Sequence, residues 1–360
     1  MSMARLTEIA WEEFERLPLE AKRPYLERSV GDSMPYHTLF AQQFDRPLLD
    51  RLVALSNRIR FIAKSREGSL FLKSFLSHKR AMLYFSQPSS RTFLSHLAAC
   101  QILGLTTGSV RDAATSSEFK GESREDSIRT FSSYFDMIIM RSPEQGLAEK
   151  MAWELSNSDR PIPILNAGSG KDQHPTQALL DIYTLVRSFE TKGGLDGRTV
   201  TFCGDLLRGR TVRSLSYLLT NFKDVKQIFV APKELQVPED VTAILAEKGV
   251  SFEITDDLRA ATRISDAIYM TRIQDEWDSA KGESAKIDTS RFKFGAEELA
   301  CLGPDGIIMH PLPRRDEIAT CCDRDPRAMY WRQMRNGMWI RTALIAATFG
   351  LEKEILNCGY

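Results

Sequence analysis

The stretch FSQPSSRTFLSHLAACQILG, residues 85–104, decides how this 360-residue chain is read. It leaves the apolar run AMLYF, passes a proline and two serines, and enters a helical pattern with Arg91 among its first residues. The first amides of a helix have no intrahelical partners and lie at the positive end of the helix dipole. Hydroxyls and an arginine placed there have two readings. Ser89 or Ser90 is an ordinary N-cap, or Ser89, Ser90, Arg91 and Thr92 together form a socket for a phosphate.

The same strand, turn and helix order recurs outward from this segment. AMLYF, LTTGSV, DMIIMR and PIPILNAG read as strands, alternating with helices that begin near Ser89, Ser123, Glu144 and His174. The Gly-rich polar break SFETKGGLDGRT (188–199) interrupts the pattern, and VTFCGD, KQIFVAP, VSFEIT, AIYMTR and GIIMHPLP then restart it. After Pro326, RAMYWRQMRNGMWIRTALIAATFG reads as one long helix with Met329, Met334, Met338 and Leu344 on related faces. The expected fold is α/β: two doubly wound parallel-sheet domains with a cleft between them, linked by long helices, the C-terminal one returning to the first domain. The boundaries read as a helical extension over 1–35, a first domain over 36–184 completed by 327–360, and a second over 185–326. Trp11, Phe14 and Leu17 give the extension its helical spacing, ending near Gly31.

Lys and Arg together number 48, as do Asp and Glu, so neither a nucleic-acid surface nor an acidic tail is indicated. The six cysteines form no CxxC or Cys/His cluster and read as thiols in a reducing compartment. The N-terminal segment is acidic and amphipathic, and no apolar run reaches membrane length, which reads as cytosolic and soluble. A small-molecule substrate is expected.

The polar residues gather where strands end. His174 and Gln177 open the helix after PIPILNAG, and Arg141 closes DMIIMR. In the second half Arg208 and Arg210 follow VTFCGD, Arg272 and Gln274 follow AIYM, and His310, Leu312, Pro313 and Arg314 follow GIIM. In open α/β sheets ligands bind at the carboxyl ends of strands. His174 has an alternative reading as the cap of its own helix, and Arg208, Arg213 and Arg315 read as ordinary exposed strand-end residues. The turn from Gly204 to Gly209 lacks G-x-G-x-x-G spacing, which argues against a dinucleotide.

SSRT (89–92), SSEFKGES (116–123), MR (140–141), QHPTQALLD (173–181), GDLLRGRTV (204–212), MTRIQ (270–274) and HPLPRRDEI (310–318) occur in one order. Together they resemble the aspartate/ornithine carbamoyltransferases, and HPTQALLDIYT with the MTRIQ and HPLPR pair resembles the aspartate-using branch. The resemblance covers roughly residues 36–350. It implies transfer of the carbamoyl group of carbamoyl phosphate to the α-amine of L-aspartate, giving N-carbamoyl-L-aspartate and phosphate, a step of pyrimidine synthesis. Carried over residue by residue, it implies phosphate ligands Ser89, Ser90, Arg91, Thr92 and Arg141. The carbamoyl oxygen falls to Thr92, Arg141 and His174, and the carbamoyl nitrogen to Gln177. Ser116 and Lys120 match residues that enter a neighbouring subunit's site, so the resemblance implies a homotrimer with shared sites. From sequence alone Lys120 reads as a loop lysine. Aspartate binding is implied for Lys120, Arg210, Arg272, Gln274, Leu312 and Pro313, and catalysis for Arg91, Thr92, Lys120, Arg141 and His174. Neither a metal nor a cofactor is implied, and neither nucleic acid nor membrane is an expected partner; regulatory chains and pathway enzymes leave no mark in the sequence.

Four positions depart from the family's pattern: Gln87 replaces an acidic residue, and Phe93, Phe119 and Trp277 replace cations. They keep two alternatives open, a carbamoyltransferase with another amine acceptor and a weakly active homologue with a binding or scaffold role.

Overall fold

A computed structural model describes residues 5–29, 32–111, 121–170, 173–278 and 284–360. The chain divides into two units, one of residues 1–179 and 337–360 and one of residues 180–336. Both divisions fall inside helices, so the chain passes between the units without a break in secondary structure.

The first unit opens with helices α1 (Trp11–Arg16) and α2 (Leu19–Lys22) and strands β1 (Glu27–Ser29) and β2 (Asp32–Pro35). The strands form an antiparallel pair, so residues 27–29 and 32–35 depart from the helical extension expected from sequence. Nor is this segment an appendage. Leu6, Ile9, Phe14 and Leu26 are buried in one cluster with Met140, Met151 and Leu155, and the Trp153 indole donates to the Ile9 carbonyl at 2.8 Å. Burying each such side chain contributes about 1.5–3 kcal/mol, enough to make the segment part of the core.

Next come α3 (Arg46–Ile62), α4 (Arg66–Ser74), β3 (Arg80–Phe85), α5 (Ser90–Ile102), β4 (Thr106–Val110) and α6 (Arg124–Ser132). They are followed by β5 (Met137–Ser142), α7 (Leu147–Ser156), β6 (Ile164–Ser169) and α8 (Pro175–Phe189). The four main strands are parallel in the order β4-β3-β5-β6. Every residue of β5 and β6 is buried, whereas edge strand β4 is largely not, as expected when helices cover both faces of a parallel sheet. From β3 the chain steps to one side to make β4, then to the other to make β5. The winding reverses between β3 and β5, which is where such sheets bind ligands.

The second unit repeats the plan with β7 (Thr199–Cys203), α9 (Arg210–Leu219), β8 (Lys226–Val230), α10 (Glu239–Glu247), β9 (Phe252–Thr255) and α11 (Leu258–Arg263). It continues with β10 (Ala267–Met270), α12 (Ala296–Cys301) and β11 (Ile307–Met309). These strands are parallel in the order β11-β10-β7-β8-β9, so the winding reverses between β7 and β10. Helix α13 (Tyr330–Thr348) starts in this unit, and α14 (Glu352–Asn357) ends the chain in the first, where Glu352 accepts a forked pair of hydrogen bonds from Arg51.

Two histidines of the first unit are held neutral. His37 Nδ1 accepts from the Ile164 amide at 3.1 Å while Nε2 meets Ser156 Oγ at 2.9 Å, and burial lowers the ring to about 3. His96 is likewise buried and lies well below its ordinary value, through burial and then the nearby Arg341 charge. Each ring takes up its proton in the unfolded chain near pH 6.5 but not in the folded one, so stability is fully present above that pH and is lost as pH falls. Urea unfolding from pH 6.5 to 5 should show a loss that steepens toward about 1.4 kcal/mol per pH unit for each ring. In His37→Asn the slope should fall by one proton's worth; an unchanged slope would remove His37 from the account.

Candidate active site

Each reversal point carries the residues singled out from sequence. In the first unit, Ser89 stands at the N-cap position of α5 with extended backbone (φ −164°), yet its side chain makes no cap hydrogen bond. Ser65 and Ser123, at the same position of α4 and α6, do cap their helices, accepting from the Gly68 and Asp126 amides. The cap reading of Ser89 therefore fails on geometry. The first amides of α5 are thus left without a cap from Ser89, and uncapped helix starts receive anions.

Arg141 ends β5 beside this turn. Its carbonyl accepts from Ser86 Oγ and the Gln87 amide, both at 3.3 Å, which ties it to the end of β3. The guanidinium Nη1 donates to the Ala167 carbonyl at 3.1 Å and lies 3.4 Å from His174 Nε2. Thr92, Arg141, His174 and Gln177 are all buried. His174 also caps α8 through its backbone, its carbonyl accepting from the Gln177 amide at 3.0 Å, so the capping reading and proximity to Arg141 both hold.

Space for the guanidinium comes from Gly168. Its φ of +123° suits glycine, and a Cβ there would lie 2.6 Å from Arg141 Nη1. Asn166 holds this bend: its Oδ1 accepts from the Gly168 amide at 2.8 Å while its Nδ2 donates to the Leu39 carbonyl at 2.8 Å. Under α5, His96 Nδ1 donates to the Thr92 carbonyl at 2.8 Å, and Arg341 Nη1 donates to Ser95 Oγ at 2.8 Å. The sequence reading passed over Gly168, Asn166 and His96. The glycine within NAGSG was the one available signal.

Phe93 is buried edge-on against Phe85, with ring centroids 5.3 Å apart, and the Arg111 guanidinium carbon lies 4.4 Å from the Phe93 ring centre. A cation thus stacks on the ring that occupies a cationic position of the resemblance, a contact worth about 0.5–1 kcal/mol when exposed. Ser116, Phe119 and Lys120 lie outside the described residues.

In the second unit, Gly204 brings the end of β7 against β10, since a Cβ there would lie 2.1 Å from the Thr271 carbonyl oxygen. Asp205, fully buried and with its carboxyl raised by burial, accepts from the Arg208 amide at 3.1 Å and the Gln274 amide at 3.0 Å. Arg208 departs from the exposed role expected of it. Its side chain is 12% exposed, and Nη1 donates to Asp278 at 2.8 Å, Ser284 Oγ at 2.7 Å and the Gln274 carbonyl at 3.3 Å. Arg208 therefore gathers the loop that carries Gln274. Arg213 and Arg315 do make surface ion pairs, with Asp240 and Asp275.

Arg210 begins α9, and burial lowers its guanidinium to about 10. Arg272 donates to the Ile273 carbonyl at 2.8 Å and binds Glu276 through both terminal nitrogens. A carboxylate already sits in this fork, the planar match that arginine makes with carboxylates in general. Leu312 takes φ +54° and is followed by Pro313 in a cis bond. Its amide donates to His310 Nδ1 at 2.7 Å. Among the described residues no cluster of His, Cys, Asp and Glu is arranged to hold a metal ion.

The family model for the carbamoyl-phosphate-binding domain of aspartate/ornithine carbamoyltransferases matches residues 36–187, and that for their Asp/Orn-binding domain matches residues 196–348. The chain belongs to the aspartate/ornithine carbamoyltransferase family. Among its relatives, a chloroplastic aspartate carbamoyltransferase of Arabidopsis thaliana is 42% identical over 84% of this chain and 75% of its own length. The aspartate carbamoyltransferase catalytic subunit of Chromobacterium violaceum is 39% identical over 86% of this chain and 96% of its own. Among solved structures, aspartate transcarbamoylase of Trypanosoma cruzi in complex with carbamoyl phosphate superposes with a TM-score of 0.78 at 37% identity, covering 87% of this chain and 96% of that one. The catalytic subunit of M. jannaschii aspartate transcarbamoylase gives 0.74 at 36% identity, over 87% and 98%.

Within this carbamoyltransferase fold the spacing between Gly168 and Arg141 can be tested with inorganic phosphate alone. Gly168→Ala should weaken phosphate binding, measured by calorimetry, at least about tenfold by displacing one charged donor. Gly194→Ala, also at positive φ (+87°) but with nothing within 4 Å, is the control and should leave binding unchanged. Equal binding by both variants would show that the guanidinium does not depend on Gly168.

Proposed function

We propose that this chain transfers the carbamoyl group of carbamoyl phosphate to the α-amine of L-aspartate, giving N-carbamoyl-L-aspartate and phosphate for pyrimidine synthesis. The observation that carries this reading is the placement of Arg141, a buried guanidinium beside His174 at the reversal point, next to a helix start whose serine does not cap it. The amine attacks the carbamoyl carbon, a C–N bond forms, the bond to the phosphate oxygen breaks, and the amine loses a proton as phosphate leaves. Thr92, Arg141 and His174 donate to the carbonyl oxygen as it gains charge, where such donors stabilise the transition state most. Ser89, Ser90, Arg91, Thr92 and Arg141 hold the departing phosphate, and Gln177 orients the carbamoyl nitrogen. Holding both substrates together supplies much of the remaining acceleration.

In the second unit Arg210, Arg272 and Gln274 take the aspartate carboxylates, with the backbone of Leu312 and Pro313 beside them. Ser116 and Lys120 reach the site of a neighbouring copy in a homotrimer, as the family resemblance implies. All six cysteines are free, which supports action in a reducing compartment, here the cytoplasm.

A colorimetric assay of ureido product over a panel of amines tests the activity. Product with L-aspartate and none with ornithine is expected; product only with another amine would replace the acceptor, and none with any amine would overturn the reading. Arg91→Ala should lower turnover at least about tenfold in a folded protein, since it removes a charged donor from the leaving group. For the shared site, Lys120→Ala and His174→Ala proteins, each inactive, should regain activity after being dissociated and reassociated together. Mixed trimers without any recovery would mean that each chain completes its own site.

A further inference from the structure

The second unit holds a buried polar chain that the proposed reaction does not use. Asp181 of α8 is fully buried; its Oδ2 accepts from the Tyr269 hydroxyl at 2.8 Å and its Oδ1 from Gln333 Nε2 at 2.7 Å. Gln333 of α13, also fully buried, uses its Oε1 to accept from the His310 amide at 2.9 Å. The ring of His310 continues the chain. Its Nδ1 accepts from the Leu312 amide at 2.7 Å, and its Nε2 meets Glu317 Oε1 at 2.7 Å. Burial works to raise the Glu317 carboxyl, but the hydrogen bonds from the His310 ring and the Arg315 amide hold it below its ordinary value.

Every link has a fixed direction. The His310 amide can only donate, so Gln333 turns its oxygen to His310 and its nitrogen to Asp181, whose Oδ1 accepts. Nδ1 of His310 accepts and so bears no proton, which leaves Nε2 to donate to Glu317. The ends of the chain are the two turns that bear the amino-acid-binding residues. Tyr269 lies on β10, which runs into Arg272 and Gln274, and His310 follows β11 and fixes Leu312 at positive φ. A second rung, Asn336 Nδ2 donating to Thr184 Oγ1 at 3.1 Å, braces the same two helices one turn further on.

We propose that Asp181 and Gln333 are positioning residues for the amino-acid substrate, setting the turns at 272–274 and 310–313 through Tyr269 and His310. The proposal rests on the reading of the chain as an aspartate-using carbamoyltransferase. Neither residue touches substrate; each acts through the donor and acceptor order of the chain.

That order can be reversed without being broken. With asparagine at 181 and a carboxylate at 333, the new amide nitrogen donates to position 333, its oxygen accepts from Tyr269, and the carboxylate still accepts from the His310 amide. Aspartate kinetics and calorimetric titration of carbamoyl phosphate on wild type, Asp181→Asn, Gln333→Glu and the double variant test this. Asp181→Asn should raise KM for aspartate by roughly fivefold or more with carbamoyl phosphate Kd within about twofold, and Gln333→Glu, which opposes two carboxylates, should do so more strongly. The double variant should return KM to within about threefold of wild type. Should a single variant not fold, the double variant and Tyr269→Phe decide. Tyr269→Phe removes one donor and should raise aspartate KM by about two- to fivefold while sparing carbamoyl phosphate. A double variant no better than the product of the singles, or no better folded than a single that fails to fold, overturns the proposal. So does a matching loss in carbamoyl phosphate affinity. A wild type that binds carbamoyl phosphate yet makes no product from aspartate overturns the functional reading and this proposal together, whereas an active wild type whose variants break the pattern overturns this proposal alone.

Discussion

A guanidinium at the end of a buried strand has to be given acceptors and room, and much of the first unit is arranged around that requirement. Arg141 lies at the carboxyl end of β5, where the winding of the sheet reverses. Burying a charge without compensation costs several kcal/mol, and here the Ala167 carbonyl, the His174 ring and the missing Cβ of Gly168 answer that cost on one side. On the other side the Arg141 carbonyl accepts from the Gln87 amide at 3.3 Å, which ties this strand end to the turn that leads into α5. A cation beside a helix N-terminus is electrostatically unfavourable until an anion joins it.

The second unit meets the same demand differently. Its arginines are numerous, and the structure separates them by partner. Arg208 is consumed by the loop, Arg213 and Arg315 by surface carboxylates, and Arg272 is forked onto Glu276. Arg210, lowered by burial, completes the group at the reversal point. Exposed pairs such as Arg315 with Asp275 add little stability, about 0–1 kcal/mol each, so loop order depends more on buried Asp205 and its two backbone donors.

Much of this was legible in the chain. The core of a run such as DMIIMR, Met137 to Met140, is apolar throughout because both faces of its sheet are covered, and the polar residues after such cores mark strand ends whichever sheet they join. What escaped depends on three-dimensional neighbours. SSRT reads as cap or socket until the Ser89 hydroxyl is seen not to cap. Arg208 reads as exposed because its acceptors, Asp278 and Ser284, lie about seventy residues away. Residues 27–29 and 32–35 carry no strand signal strong enough to override the helical spacing before them, and their pairing shows only in three dimensions. Gly168 read only as the end of the strand PIPILNAG, since nothing in sequence says that a guanidinium needs its empty side.

On this reading the donor geometry of Arg141, and not its charge alone, makes the phosphate-side site. Calorimetric titration of carbamoyl phosphate into wild type and Arg141→Lys separates the two. Lysine keeps the charge but loses the planar set of donors that reaches Ala167 and a ligand at once, so the account predicts binding weaker by at least about tenfold in a protein that unfolds at an unchanged temperature. Equal affinity in the two proteins would contradict it.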